Sequence, residues 1–323
     1  MPSHRLRSGF AGVSVCGAVA TGDSVTRRIE RLPLTALLVA SLSLAACGAP
    51  VGSPADPTRP SAVAKPSEPG QPVSGAELVG HIHNLGYDGR VLLIGTHQGL
   101  WAQDMDGPPA LKAGSNFDVM GLTLANDRWF TSGHPGSTMA GPESLGLLKS
   151  TDQGRTWTAM SLSGKADFHR LANSGDVVVG LNSHDGALLR SADGGLTWTE
   201  LGTPGLYDLA ISQLDSTVIV GTSESGPVRS TDSGFTFQPI AGAPLLVLVA
   251  WAGDTLFGAD VDGQVVVSED GGLTWSPRGS LPAQPGALAA TKTTVAAHVG
   301  DTIYESIDGG RSFTARIAGI PGH

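Results

Sequence analysis

The sequence predicts an all-β fold of repeated units closed into a β-propeller, most simply of six four-stranded blades, and three observations lead there. One motif, Ser-x-Asp-x-Gly-x-Thr-aromatic (Ser for Thr in the last copy), occurs five times, and its aspartates Asp152, Asp193, Asp232, Asp270 and Asp308 are spaced 41, 39, 38 and 38 residues apart. A fixed period near forty marks units that bury their apolar faces only against their neighbours. Glycine is abundant at 45 residues, charged residues make up only 15%, and no segment keeps a helical period. Closing the array into a ring hides the strand edges that a long β chain otherwise exposes.

Each motif is preceded by the same outline of a short apolar strand, a turn, a second strand ending near glycine, another turn and a third strand. Units 166–201, 205–240 and 245–278 follow it, and Val177-Val178-Val179-Gly180 matches Val218-Ile219-Val220-Gly221. Residues 117–160 form an earlier unit with an insertion at 133–146. Residues 81–107 form the first, its motif decayed to Asp104-Met105-Asp106-Gly107, and 286–316 the last. The 236 residues from His81 to Arg316 hold six units at this period, whereas seven would need about 275. Closure of the ring could use the first strand to complete the last blade.

Within the motif, an aspartate followed by glycine is turn chemistry: the carboxylate accepts backbone N–H bonds and glycine supplies positive φ. The Thr-aromatic pair then starts a strand. The motif resembles the Asp-box, or BNR repeat, of sialidases and many other β-propellers. That resemblance implies a hairpin between the third and fourth strands of each blade, on the face opposite the usual ligand entrance. The five aspartates are accordingly expected to be structural.

The front end reads as an export address. Arg27, Arg28 and Arg31 precede an apolar run, 34–46, that ends in Leu44-Ala45-Ala46-Cys47. Basic, apolar and small-residue regions in that order make a signal peptide, too short to span a bilayer. Leu-Ala-Ala-Cys resembles the bacterial lipobox, which implies lipidation at Cys47 and anchoring on the outer face of the cell membrane. The residues before about 25 lie upstream of the basic region, and a start near Val25 fits the pattern. Residues 48–75 contain seven prolines and read as a disordered tether, with the propeller from 76 to 323. The only other cysteine is Cys16, so the repeats have neither disulfide framework nor thiol chemistry. Beyond Cys47, 15 basic residues face 27 acidic ones, with no Lys/Arg cluster in the repeats. That excludes nucleic acid, which needs a basic face.

Candidate site residues fall where inner strands start and second strands end. His81-Ile82-His83 aligns with Asp118-Val119-Met120 and Asp167-Phe168-His169. Thr96-His97 aligns with Gly133-His134, Leu181-Asn182, Thr222-Ser223, Ala259-Asp260 and Ala297-His298. His81, His83, His97, His134, His169 and His298 thus converge on the entrance. Three readings stay open. The first is a polar lining of an axial channel. The second is a divalent transition metal site (Zn²⁺, Cu²⁺ or Ni²⁺) on His81, His83, His97 and His134. The third is a carbohydrate cleft with Asp118, Asp167, Asp260 or Glu224 as carboxylates, a reaction that requires two at a set separation.

Met120-Gly121-Leu122, Ser132-Gly133-His134-Pro135, Ala166-Asp167-Phe168-His169, the opening His81-Ile82-His83-Asn84-Leu85-Gly86 and Thr96-His97-Gln98-Gly99-Leu100 together resemble an uncharacterised family of exported bacterial Asp-box proteins. Its members are often labelled glycosyl hydrolase or exo-α-sialidase. A sialidase of the known kind carries a Phe-Arg-Ile-Pro-like motif, further arginines and a Tyr–Glu pair. Here that motif does not occur, the only tyrosines are Tyr87, Tyr207 and Tyr304, and Arg190 and Arg229 directly precede motif serines. More distant similarity to photosystem II assembly-factor propellers and to the sortilin propeller implies binding of proteins or peptides. The expectation is a monomeric, lipid-anchored propeller of the cell envelope that binds an envelope protein, a glycan or another ligand. Glycoside hydrolysis and metal binding are the alternatives.

Overall fold

The computed structural model describes residues 72–78, 80–104, 107–125 and 127–322. The expected signal peptide, Cys47 and nearly all of the tether lie outside these residues, as do Met105 and Asp106 of the decayed first motif. The described chain forms six antiparallel sheets, each laid down in chain order: residues 82–111, 118–161, 168–200, 206–239, 246–280 and 287–318. Each blade's first strand touches that of the next. Ile82–Asp88 of blade 1 touches Ala287–Ala290 of blade 6, so the inner strands form a closed ring. This is the six-bladed all-β propeller that the repeat spacing predicts.

The second strand of each blade explains why the units need one another. It is apolar at consecutive positions, and successive side chains of a strand point to opposite faces. Trp129 of blade 2 therefore packs towards blade 1, with Leu93 and Leu100, while Phe130 packs towards blade 3, with Phe168 and Val178. Val179 and Ile219 join the blade 3–4 core, and Val220 and Leu256 the blade 4–5 core. The protein's core is thus a set of seams between blades rather than one central mass.

The last seam joins the two ends of the chain. Ile82, Leu92, Ile94 and Trp101 of blade 1 pack with Ala296, Ile303 and Ile317 of blade 6, and Leu78 and Ile320 are buried among them. Val73–Ser74, at the end of the stretch expected to be tether, forms a strand instead. It pairs in parallel with Thr314–Ala318 as a fifth, outermost strand of blade 6. A half-buried polar cluster crosses the same seam. Tyr87 donates to Glu305 Oε1 at 2.7 Å, Arg316 pairs with Glu305, and Arg316 Nε donates to Gln103 Oε1 at 2.7 Å.

The five Ser-x-Asp turns join third and fourth strands and share one hydrogen-bond scheme. In the first, Ser150 Oγ donates to Asp152 Oδ1 at 2.8 Å and accepts from Gly154 N at 2.8 Å. Asp152 Oδ1 also accepts from Thr156 N, and Oδ2 from Thr156 Oγ1 at 2.6 Å. Gln153 and Gly154 both take positive φ, 60° and 75°. The scheme repeats around Asp193, Asp232, Asp270 and Asp308, with Ser312 in the threonine's role at the last. Every carboxylate is engaged by hydrogen bonds within its own turn.

These bonds favour the ionised carboxylate. Thr156, followed by Ser150, brings the Asp152 pKa down to about 2; at Asp270 slight burial opposes the shift, but Thr274 and Ser268 still bring it to about 2. A carboxyl group whose folded pKa is depressed stabilises the fold above its unfolded pKa, and that contribution disappears as pH falls through the folded value. The structure predicts that stability measured by urea denaturation falls between about pH 4 and about pH 2. Asp→Asn substitution at Asp152, Asp193 and Asp270 should lower stability at neutral pH and flatten the curve in that window.

Candidate metal centre at the propeller entrance

An axial cavity of about 250 Å³ runs between the inner strands and is lined by residues of all six blades. Its wall is polar in part: Thr123 Oγ1 donates to Asn173 Oδ1, and Gln213 Nε2 donates to the Asn173 carbonyl, both at 2.7 Å. His83 and His169 line the end where inner strands begin.

Their placement depends on a device repeated in the backbone. In blades 1 to 5 the pairing of inner and second strands slips by one residue near the start of the inner strand: Ile82/Asn84, Val119/Gly121, Phe168/Arg170, Leu206/Asp208 and Leu246/Leu248. A bulge of this kind leaves one residue unpaired and re-aims its side chain. The unpaired residues are His83, Met120, His169, Tyr207 and Val247. In blades 1 and 3, the bulge therefore turns a histidine towards the entrance while the preceding Ile82 or Phe168 stays buried in a seam.

The result is two adjoining clusters. In the first, His83 Nε2 and His97 Nδ1 are 3.2 Å apart, and they lie 3.2 Å and 2.8 Å from Asp118 Oδ1 and Oδ2. In the second, His134 Nε2 and His169 Nε2 lie 3.2 Å and 2.9 Å from Asp167 Oδ2. The clusters touch where His134 Nδ1 stands 3.5 Å from Asp118 Oδ2. Each offers two imidazole nitrogens and one carboxylate oxygen within 4.8 Å of one another. Donors about 2.0–2.2 Å from one ion stand about 3–3.5 Å apart, so the first cluster already has the edge lengths of a coordination polyhedron.

Both aspartates are buried. Burial alone would raise the Asp118 pKa, but hydrogen bonds from His83 and His97 outweigh it and hold the group below its ordinary value. Burial likewise opposes ionisation of Asp167, and bonds from His169 and Ser183 overcome it by a wide margin. Ser183 Oγ donates to Asp167 Oδ2 at 2.5 Å, and Asn182 Oδ1 accepts from Asp167 N. A glycosidase acid needs a raised pKa, which neither residue has. Asp208 is raised by burial, but its oxygens are taken by Arg170 Nε at 3.2 Å and Val249 N at 2.9 Å.

The structure thus brings together His83, His97, His134, His169, Asp118 and Asp167. The four histidines expected to share a metal are divided: His83 and His97 in one cluster, His134 in the other. His81 lies beside the first, its tilted ring 5.1 Å from that of His83 and 6.2 Å from that of His97. His298, whose pKa burial and the neighbouring His81 lower, belongs to neither group. Asp260 caps its own turn, accepting from Asp262 N and Gln264 N, and joins neither carboxylate.

The sequence alignment of second-strand ends is one residue out. Asn182, Ser223 and Asp260 pair opposite the inner-strand residue just before the bulge, as Thr96 and Gly133 do, and His298 pairs opposite Ala287. The counterpart of His97 and His134 is therefore Ser183, which sequence reading missed and which holds Asp167 within blade 3, where His134 approaches Asp118 within blade 2. A one-residue slip moves a side chain to the other face, so the pattern of Val-Gly pairs alone did not fix it. At this edge Gly133 has a specific reason: a Cβ there would stand 1.7 Å from the Asp118 carbonyl oxygen.

Arg170 ties the site together below. Its Nη1 donates to the carbonyls of His83 and His169, the two bulged histidines, at 3.2 and 3.3 Å, while Nε faces Asp208 of blade 4. Arg170→Met leaves the Asp208 carboxylate buried without its cation and should cost about 3–5 kcal/mol in chemical denaturation. Arg170→Met/Asp208→Leu should recover most of that loss, because removing both charges removes the desolvation cost as well.

No protein-family model matches the chain, and no curated protein is similar to it in sequence. Among solved structures it resembles a chain of a nidogen/laminin complex, with TM-score 0.56 and 8% identity over 70% of this chain and 93% of that one. It also resembles the GH74 xyloglucanase from Xanthomonas campestris, with TM-score 0.50 and 16% identity over 75% of this chain and 46% of that one. The chain spans about half the length of the xyloglucanase. A structure of YCF48 bound to D1 peptide matches at TM-score 0.47 and 16% identity, over 78% of this chain and 86% of that one. At these identities the likeness is one of fold.

Proposed function

We propose that this propeller is a metal-binding protein of the bacterial cell envelope, holding a divalent transition metal ion at its entrance. The observation that carries the reading is the convergence of His83 Nε2, His97 Nδ1 and the Asp118 carboxylate at mutual distances of 2.8–3.2 Å. Imidazole and carboxylate together suit Zn²⁺, Cu²⁺ or Ni²⁺. Three protein ligands leave a coordination position open to water or to a ligand group, which suits binding and exchange better than a closed structural site. The basic–apolar–Cys47 leader supports export and lipid anchoring, with the propeller held off the membrane by the proline-rich segment. The xyloglucanase likeness supports a hydrolase less well, since Asp118 and Asp167 are each engaged by two imidazoles and held ionised. Isolated from its own host without a histidine tag, the full-length chain should contain near-stoichiometric transition metal by elemental mass spectrometry. His97→Ala should lose that ion while keeping its fold by circular dichroism. A metal-free wild-type chain that also fails to take up Zn²⁺, Cu²⁺ or Ni²⁺ would overturn the proposal.

A further inference from the structure

The geometry points to a second cation site beside the first, formed by His134, Asp167 and His169, and coupled to it through the His134 imidazole. This rests on the reading of His83, His97 and Asp118 as a metal site. The ligand is a second divalent transition metal ion of the same borderline, nitrogen- and oxygen-binding class.

Three features carry the inference. The second cluster repeats the donor set of the first, two imidazole nitrogens and one carboxylate, within 4.8 Å. It comes from blades 2 and 3, whereas the first comes from blades 1 and 2, so the propeller offers the same corner twice in succession. His134 then presents both ring nitrogens to carboxylates: Nδ1 stands 3.5 Å from Asp118 Oδ2, and Nε2 stands 3.2 Å from Asp167 Oδ2. A ligating histidine ordinarily fixes its ring by placing the second nitrogen against a carboxylate. Here that carboxylate is itself a ligand of the neighbouring site, so loading one site reorients and polarises a ligand of the other.

Supporting groups are in place around the second cluster. Ser183 Oγ donates to Asp167 Oδ2, and Asn182 holds the Asp167 backbone N–H. The bulge between Phe168 and Arg170 aims His169 back onto Asp167, two residues earlier. Arg170 fixes the backbone carbonyls of His83 and His169, one from each cluster. The two corners are therefore held at a set separation by one side chain.

The test uses the full-length, tag-free chain, stripped with a chelator and titrated with Cu²⁺. Bound copper is counted by elemental mass spectrometry and coupling is read by electron paramagnetic resonance. Wild type should bind two ions per chain with a spectrum broadened by spin–spin interaction. His169→Ala should bind one, with the sharp spectrum of an isolated Cu²⁺, and His97→Ala should also bind one. His134→Ala should lose the second ion and the broadening together. Lys292→Ala, in the exposed turn that follows Ala287–Ala290, should keep two ions and serves as the folding control beside thermal melting of each variant. One ion in wild type, lost in His97→Ala but kept in His169→Ala, would overturn the second site and leave the first standing. Two ions with unbroadened spectra would overturn the coupling. No copper in wild type would overturn both sites.

Discussion

Every other feature of the molecule depends on blade-to-blade packing. A single blade here has a second strand that is apolar on both faces, so it must be covered on both sides. In a linear array the end blades would expose one such face each. The ring removes both ends, and the seam between blades 1 and 6 is where that closure is made. It is sealed by Leu78, Trp101, Ile303 and Ile320, and by a fifth strand laid along blade 6. The Arg316–Glu305–Tyr87–Gln103 cluster lies in the same seam, where partners more than two hundred residues apart in sequence meet. Buried charge gives little stability by itself, but it is strict about its partner.

Closure also creates the site. Inner strands pointing at a common axis bring the entrance edges of successive blades within hydrogen-bond distance of one another. A bulge there decides which residues look into the entrance. Blades 1 to 3 use this edge for His83, Asp118, Asp167 and His169, whereas blades 4 and 5 place Tyr207 and Val247 at the bulge. The ring is thus symmetric in backbone and asymmetric in chemistry. Three adjacent blades carry the polar ligands. The opposite side of the entrance does not.

Much of this was legible in the sequence, for reasons that can be named. The 38–41-residue spacing of the motif aspartates gave blade number and boundaries, because each turn is built from local bonds among about five residues. His81-Ile82-His83 and Asp167-Phe168-His169 showed the entrance by simple alternation, an apolar seam residue between two polar ones that face the entrance. What escaped was non-local. The partition of the histidines into two groups depends on which blade each carboxylate reaches. Ser183 was hidden by a one-residue register error that only strand pairing reveals. Arg170 looked like an ordinary strand residue, yet its guanidinium spans from blade 3 to the backbone of blade 1 and the carboxylate of blade 4. Asp260 sits at a second-strand end on blade 5 and merely caps its turn.

The most direct measurement is anomalous X-ray diffraction at the zinc edge from crystals of the zinc-loaded full-length chain. The account predicts a strong anomalous peak about 2.0–2.2 Å from His83 Nε2, His97 Nδ1 and the Asp118 carboxylate. An entrance without such a peak, with zinc found only at scattered surface carboxylates, would contradict it.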